Sequence, residues 1–182
     1  MKIGICVGHS RRGDSGAESV GGVDEWTYNS DVARELDIAL ERRGIDAVII
    51  DDYQRGSYGA GIARCAEMLR ESACTHAIEL HFNSAGPTAT GHEWLYWATS
   101  RNGKRFADII ERAFSIAFPA HRRRGIKPKS RGSRGSTFLR RTHCPAIIAE
   151  PFFGSNSNDW NVFGNAQREV ARAIASGIAL LK

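Results

Sequence analysis

No stretch of this chain comes near the run of about 20 apolar residues that a membrane-spanning helix needs, so a helical span is excluded. Residues 1–8 lack the long apolar core and small-residue cleavage site of a secretion signal. The expectation is a protein that stays inside the cell that makes it, or leaves by another route. Cysteine is sparse: Cys6, Cys65, Cys74 and Cys144, with no CxxC pair. A chain of 182 residues can build a sizeable core without covalent staples, so the four read as reduced thiols that mostly pack. Acidic residues are missing from 121–141, which holds nine Lys or Arg within a net charge of +5. That imbalance favours an anionic partner: nucleic acid, a membrane surface or an acidic polymer.

What is present alternates. Residues 3–7 form a short apolar run, a candidate buried strand that ends at Gly8-His9-Ser10. Residues 11–22, rich in Gly, Ser, Asp and Arg, read as a loop. Asp24 is a candidate N-cap with Glu25 in the first helical turn, and Gly44 a stop. Residues 47–50 form a second strand, 56–61 a turn and 62–69 a second helix. In 75–83, Ile78, Leu80 and Phe82 share one face of an extended chain, and Ala77, Glu79 and His81 the other. The aromatic run 94–97 favours a strand, 102–118 a helix, 121–141 an exposed loop, 145–150 a last strand, 152–161 a loop and 166–181 a closing helix. This order predicts an α/β fold, one mainly parallel twisted sheet flanked by helices, with 1–182 as a single domain.

Open α/β sheets bind ligands at the carboxyl ends of their strands. His9, His81 and Glu150 fall at such exits, and Glu25 at a helix start that can reach the same edge. A catalytic zinc usually takes three His, Asp, Glu or Cys side chains and leaves one position to water, while a carboxylate outside the set moves protons. His9, Glu25 and His81 suit the first task and Glu150 the second. Taken singly, each residue has a plainer reading: His81 as a hydrogen-bonded core histidine, Glu25 as an acid facing the helix dipole, Glu150 as a salt-bridge partner. His76 faces away from His81 on one strand. His92 and Glu93 either line the cleft or serve the core, and His121 and His143 read as solvated. Asn29, one turn after Glu25, would orient it or touch substrate.

As an ordered set the motifs are more specific. They are Val7-Gly8-His9, Glu25 with Asn29, Glu79-Leu80-His81-Phe82-Asn83, Gly91-His92-Glu93, Gly125-Ile126-Lys127, and the run from Leu139 through Glu150 to Asn156. Their order and rough spacing resemble the zinc-dependent N-acetylmuramoyl-L-alanine amidases of bacterial autolysins and phage endolysins. The resemblance implies a three-layer fold of the phosphorylase/hydrolase kind and one Zn2+ held by His9, Glu25 and His81. It implies Glu150 as catalytic acid/base and substrate contacts at Asn83, Lys127 and Asn29. It also implies hydrolysis of the amide between the lactyl group of N-acetylmuramic acid and the L-alanine of the stem peptide. Two positions depart from the pattern. Glu79 replaces a small polar residue and is either a rival ligand or, as favoured here, an acceptor fixing the His81 ring. Pro151 follows Glu150 where a small residue is commoner.

With no signal peptide and no separate wall-binding domain, a monomeric phage or prophage endolysin is expected. It would accumulate in the cytoplasm and act on peptidoglycan once the membrane is breached. The segment 121–141 would hold stem-peptide carboxylates, anionic wall polymers or lipopolysaccharide through Arg forks. A nucleic-acid-binding α/β domain using that segment is the alternative. It lacks any RNP, KH or finger motif and leaves the His and Glu set unexplained. A catalytically dead wall-binding module fits poorly, since ligands and base are all present.

Overall fold

The protein was analysed as a computed structural model that describes residues 1–182 apart from Arg12 (within the expected loop 11–22), Gln54, Arg55 and Lys182. In chain order the elements are β1 (Lys2–Val7), α1 (Glu25–Glu41), β2 (Asp46–Ile50), α2 (Tyr58–Glu71), β3 (His76–Leu80), β4 (His92–Trp97), α3 (Arg101–Ala117), β5 (Arg123–Lys129), α4 (Ser136–Arg141), β6 (Ala146–Glu150), α5 (Ser157–Phe163) and α6 (Gln167–Ile178), closed by a 3-10 turn at Ala179–Leu181. The strands form one sheet in the order β2-β1-β3-β6-β4-β5. All neighbours run parallel except β4 and β6. Among the described residues no helix is long and apolar enough to cross a membrane.

The strand pleat sorts side chains between two cores. Ile3, Ile5, Val7, Ile78, Leu80, Trp94, Tyr96, Ile147 and Ala149 face α1, α3 and α6; Cys6, Ala77, Leu95, Ala146 and Ile148 face α2 and α4. The result is three layers, helix over sheet over helix, as the strand and helix alternation predicts. Local chemistry sets the helix ends. The Asp24 carboxylate accepts from Thr27 N at 2.9 Å and from Thr27 Oγ1 at 2.8 Å, and Gly44, at φ 65, follows α1. Ser57 and Ser100 cap α2 and α3 in the same way. All four cysteines are free thiols, three of them buried.

Three stretches differ from expectation. The segment 121–141 is not an exposed loop: it holds β5 and α4. β5 is an edge strand, and edges tolerate the charges and proline, here Pro128, that disguise a strand by composition. Residues 152–161 are not all loop, because the Asn156 side chain accepts from Asn158 N and Asp159 N and starts α5. The turn at 56–61 ends early, since α2 begins at Tyr58.

The buried end of β4 carries a pH liability. His92 is fully buried, and its Nδ1 accepts the Trp94 indole N–H at 3.0 Å, so the ring proton sits on Nε2, 3.4 Å from Ser115 Oγ. Burial first, then the neighbouring His121, pushes its pKa down from 6.5 to about 4. Between those values the unfolded chain binds the extra proton, so stability falls as pH drops from 6.5 to about 4. The shift corresponds to at most about 3 kcal/mol. Urea midpoints of wild type and His92→Gln should therefore converge over this window, the wild type losing more; parallel curves would show that His92 does not titrate as described.

Candidate metal centre and cleft

The sheet order puts a switch point between β1 and β3: from β1 the chain steps outward to β2, then returns to the other side of β1 to make β3. Their carboxyl ends diverge into loops there, which opens a crevice. His9 lies two residues past β1, His81 one past β3, and Glu150 ends β6. β4 runs the other way, so its beginning reaches the same edge, and Glu93 pairs with Glu150. The start of α1 brings Glu25 in from above.

Glu25 is the meeting point. It is buried, with Oε1 2.8 Å from His81 Nδ1 and Oε2 3.3 Å from His9 Nε2. Backbone N–H groups of Phe82 and Ala17 also donate to it, each at 3.2 Å. Burial alone would raise its pKa, but the hydrogen bond from His81 and the close approach of the His9 ring prevail and hold it at about 2. Burial pushes both imidazoles down; the Glu25 carboxylate outweighs this and shifts each upward. The two rings meet edge to face, 5.1 Å between centroids.

These atoms suit a divalent cation. One ligand atom from each of His9, Glu25 and His81 lies within 4.8 Å of the others. The shorter separations, 2.8 and 3.3 Å, are close to the roughly 3.3 Å between ligands of a tetrahedral zinc. His9 Nε2 is buried with no hydrogen-bond partner among the described residues; its approach to Glu25 lacks hydrogen-bond alignment. Behind each ring stands another carboxylate: Asp14 Oδ1 is 3.1 Å from His9 Nδ1, and Glu79 Oε2 is 3.4 Å from His81 Nε2. Tyr53 in turn donates its hydroxyl to Glu79 Oε1 at 2.8 Å. Ligating imidazoles commonly have such partners, which set the tautomer. Glu79 therefore stands behind His81, on the ring nitrogen that faces away from Glu25.

Two glycines make room. A Cβ on Gly8 would lie 2.2 to 2.6 Å from three ring atoms of His81, and one on Gly16 would meet His9 and Glu25 at 2.7 Å. His9 itself has a left-handed backbone at φ 66, a strain on the order of 1 kcal/mol for a residue with a Cβ.

The cluster opens into a cleft of about 370 Å³ lined by residues that include Tyr58, Asn83, Glu93, Leu95, Lys129, Arg134 and Glu150. Glu150 Oε2 is buried and has no hydrogen-bond partner among the described residues. Burial raises the Glu150 pKa to about 8; the His81 charge works against this, and Glu25 and Glu93 add to it. Glu93 is committed elsewhere: Arg124 Nε donates to Oε2 at 2.7 Å and Asn83 Nδ2 to Oε1 at 3.1 Å.

Other expected residues go elsewhere. Asn29 is buried and donates to the Glu25 carbonyl at 2.9 Å; it supports the helix start and does not line the cleft. Lys127 pairs with Leu95 on β4, and it is Lys129, one pleat further along, that lines the cleft. His92 belongs to the core and only its neighbour Glu93 reaches the cleft. His121 is not solvated: it stacks on His92 and its Nε2 lies 3.1 Å from the Pro151 carbonyl. His143 is exposed, with Nε2 3.1 Å from the Cys74 carbonyl. Asp14 and Tyr53 sit in loops and carry no periodic signal, and within the basic segment 121–141 nothing in the sequence distinguishes Lys129 and Arg134 from their basic neighbours. An acid five residues after a candidate ligand was the one available hint, for Asp14.

Fold and side chains together define an α/β domain with a hydrolytic type of site, a candidate metal set faced by a carboxyl able to hold a proton. A sequence model of the N-acetylmuramoyl-L-alanine amidases matches residues 3–180, and the chain belongs to that family. Among solved structures it is similar to the catalytic domain of the CD27L endolysin targeting Clostridia difficile, at 26% identity over 98% of this chain and 96% of that one, TM-score 0.82. It shares its fold with the amidase AmiC2 of Nostoc punctiforme, at 24% identity over 98% and 94% of the two chains, TM-score 0.82. The same holds for the CwlD amidase of Clostridioides difficile, at 18% identity over 99% and 97%, TM-score 0.87. No curated protein matches the chain by sequence. The protein is thus an amidase whose substrate is peptidoglycan.

The ring of His81 cannot yield to a methyl at Gly8, because Glu25 and Glu79 hold its two nitrogens. Gly8→Ala should weaken divalent-cation affinity by roughly tenfold or more while leaving the circular dichroism spectrum unchanged. Wild-type affinity in a competition titration would show the close approach to be unimportant.

Proposed function

We propose that this chain is a zinc-dependent peptidoglycan hydrolase that cleaves the amide joining the lactyl group of N-acetylmuramic acid to the L-alanine of the stem peptide. In this reading His9 Nε2, Glu25 and His81 Nδ1 are the zinc ligands and Glu150 is the catalytic acid/base. The observation that carries it is a buried ring nitrogen without a partner, aimed at a shared carboxylate, beside a second buried carboxyl oxygen that also lacks one. Bound zinc would supply Lewis acidity toward the scissile carbonyl and make water a nucleophile near neutral pH. Asp14 and Glu79 would hold the imidazole protons on the nitrogens facing away from the cation. Glu150 would take a proton from the attacking water at its carboxylate and deliver it to the departing amine nitrogen of alanine. Its raised pKa, about 8, supports the delivery. Glu93 is pinned beside it by Arg124 and Asn83. Asn83 would contact substrate from the cleft wall.

The biological setting we infer is that of a phage or prophage endolysin: a monomer made in the cytoplasm that reaches the wall after membrane breach. The 26% identity to an endolysin catalytic domain supports this. The basic segment 121–141 would engage anionic wall polymers or lipopolysaccharide rather than nucleic acid. Part of its charge is already committed, Arg123 to Glu111 at 2.8 Å and Arg124 to Glu93 at 2.7 Å.

The test is a pair of variants on purified sacculi. Glu150→Gln should keep one zinc per chain by elemental analysis and lose about 10²- to 10⁴-fold in turnover, whereas His81→Ala should lose the metal. A chelator should abolish release of alanine amines, and added zinc should restore it. Full activity in Glu150→Gln, or in the chelated protein, would refute the assignment.

A further inference from the structure

The two walls of the cleft differ in charge. The imidazoles, Glu79, Glu93 and Glu150 gather at the carboxyl ends of β1, β3 and β6 and the start of β4, while Lys129 ends β5 and Arg134 lies in the turn before α4. Between them lie Leu95 and Ile148, and Gly135 packs on both of these side chains. Two basic neighbours are occupied: Arg123 by Glu111, and Arg124 by Glu93 and the Phe153 ring. Lys129 and Arg134 form no side-chain hydrogen bond or ion pair with any described residue. Arg134 nonetheless acts across the cleft, its charge favouring the ionised forms of Glu150 and Tyr58. Two free cations on a lip just beyond an apolar floor, facing a reactive carboxyl, make a subsite for an anionic group of the substrate.

We propose that Arg134, assisted by Lys129, binds the free α-carboxylate of the γ-linked D-glutamate that follows L-alanine in the stem peptide, and so makes the enzyme selective for acidic over amidated stems. This rests on the amidase reading above. The order of chemistry along the cleft matches the order along the substrate. The amide to be cut lies at Glu150, the alanine methyl meets Leu95 and Ile148, and the next residue offers either a carboxylate or, in amidated walls, a neutral carboxamide. A guanidinium fork pairs with a carboxylate through two parallel N–H···O bonds and gains much less from a carboxamide. The turn that carries Arg134 suits its task, with Gly135 in a left-handed conformation that lets the backbone pass close over Ile148.

The discriminating experiment compares N-acetylmuramoyl-L-alanyl-D-isoglutamate with the isoglutamine form, using the zinc-loaded full chain. Wild type should favour the acid by roughly tenfold in kcat/KM. Arg134→Gln should remove that preference by lowering the acid alone, and Lys129→Gln should remove part of it. An influence of Arg134 on Glu150 only would move both substrates together. In parallel, calorimetry on the metal-free protein with the dipeptides L-alanyl-D-isoglutamate and L-alanyl-D-isoglutamine reads binding without turnover. The acid should bind more tightly, and the difference should vanish in Arg134→Gln and at high salt. Equal cleavage of both substrates by wild type, or an equal loss on both in the variant, overturns the subsite and leaves the amidase reading intact. No cleavage of either, with Arg134-dependent binding of the acidic dipeptide, overturns the amidase reading and keeps the subsite. No cleavage with indifferent binding overturns both.

Discussion

A single carboxylate, Glu25, ties the site to the fold. It is taken out of water at the first residue of α1 and would be costly there unpaired. Two imidazoles and two backbone N–H groups converge on it from the loop after β1 and the end of β3. These groups come from two segments far apart in the chain, so the same contacts that satisfy the charge also fix how helix, loop and strand meet. Glycine is required where they meet most closely: Gly8 under the His81 ring, Gly16 against His9 and Glu25. The strained backbone at His9 is held by this arrangement and aims the ring.

The second organising constraint is the reversal of strand direction. Because β4 runs against β6, its first residues share an edge with the last residues of β6, and Glu93 comes to lie beside Glu150. The two neighbouring carboxyls differ in their partners. Arg124 and Asn83 bind Glu93, while Glu150 keeps a free oxygen and a raised pKa. A wholly parallel sheet would have carried Glu93 to the opposite edge. β5 runs parallel to β4, and Lys129 at its end and Arg134 in the turn that follows line the same cleft.

How far the fold and site could be read from the chain depended on the kind of signal. Strands β1, β3 and β6 and helices α1, α3 and α6 announce themselves because burial on a regular element leaves a period of 2 or 3.6. The strand β5 does not. Its outer edge is solvated, so Arg123, Arg124, Lys127 and Lys129 face water or polar partners and the composition reads as loop. Short α5 rests on the cap made by Asn156 rather than on an apolar stripe. His121 read as solvated in a basic stretch and proved to stack on His92 against Phe163, because the ring contacts come from distant residues.

The chain alone determined the α/β class, the helix caps and the chemical types of the four central residues, because these follow from local periodicity, local hydrogen bonding and ordered motifs. Tertiary structure decided which nitrogen of each imidazole faces Glu25, that Asp14 and Glu79 stand behind the rings, that Asn29 serves backbone and not cleft, and that Lys129 and Arg134 in place of Lys127 line the opening. Those outcomes depend on side-chain direction and on contacts between residues far apart in sequence. Both are set only when the strands reach register and the sheet closes against its helices.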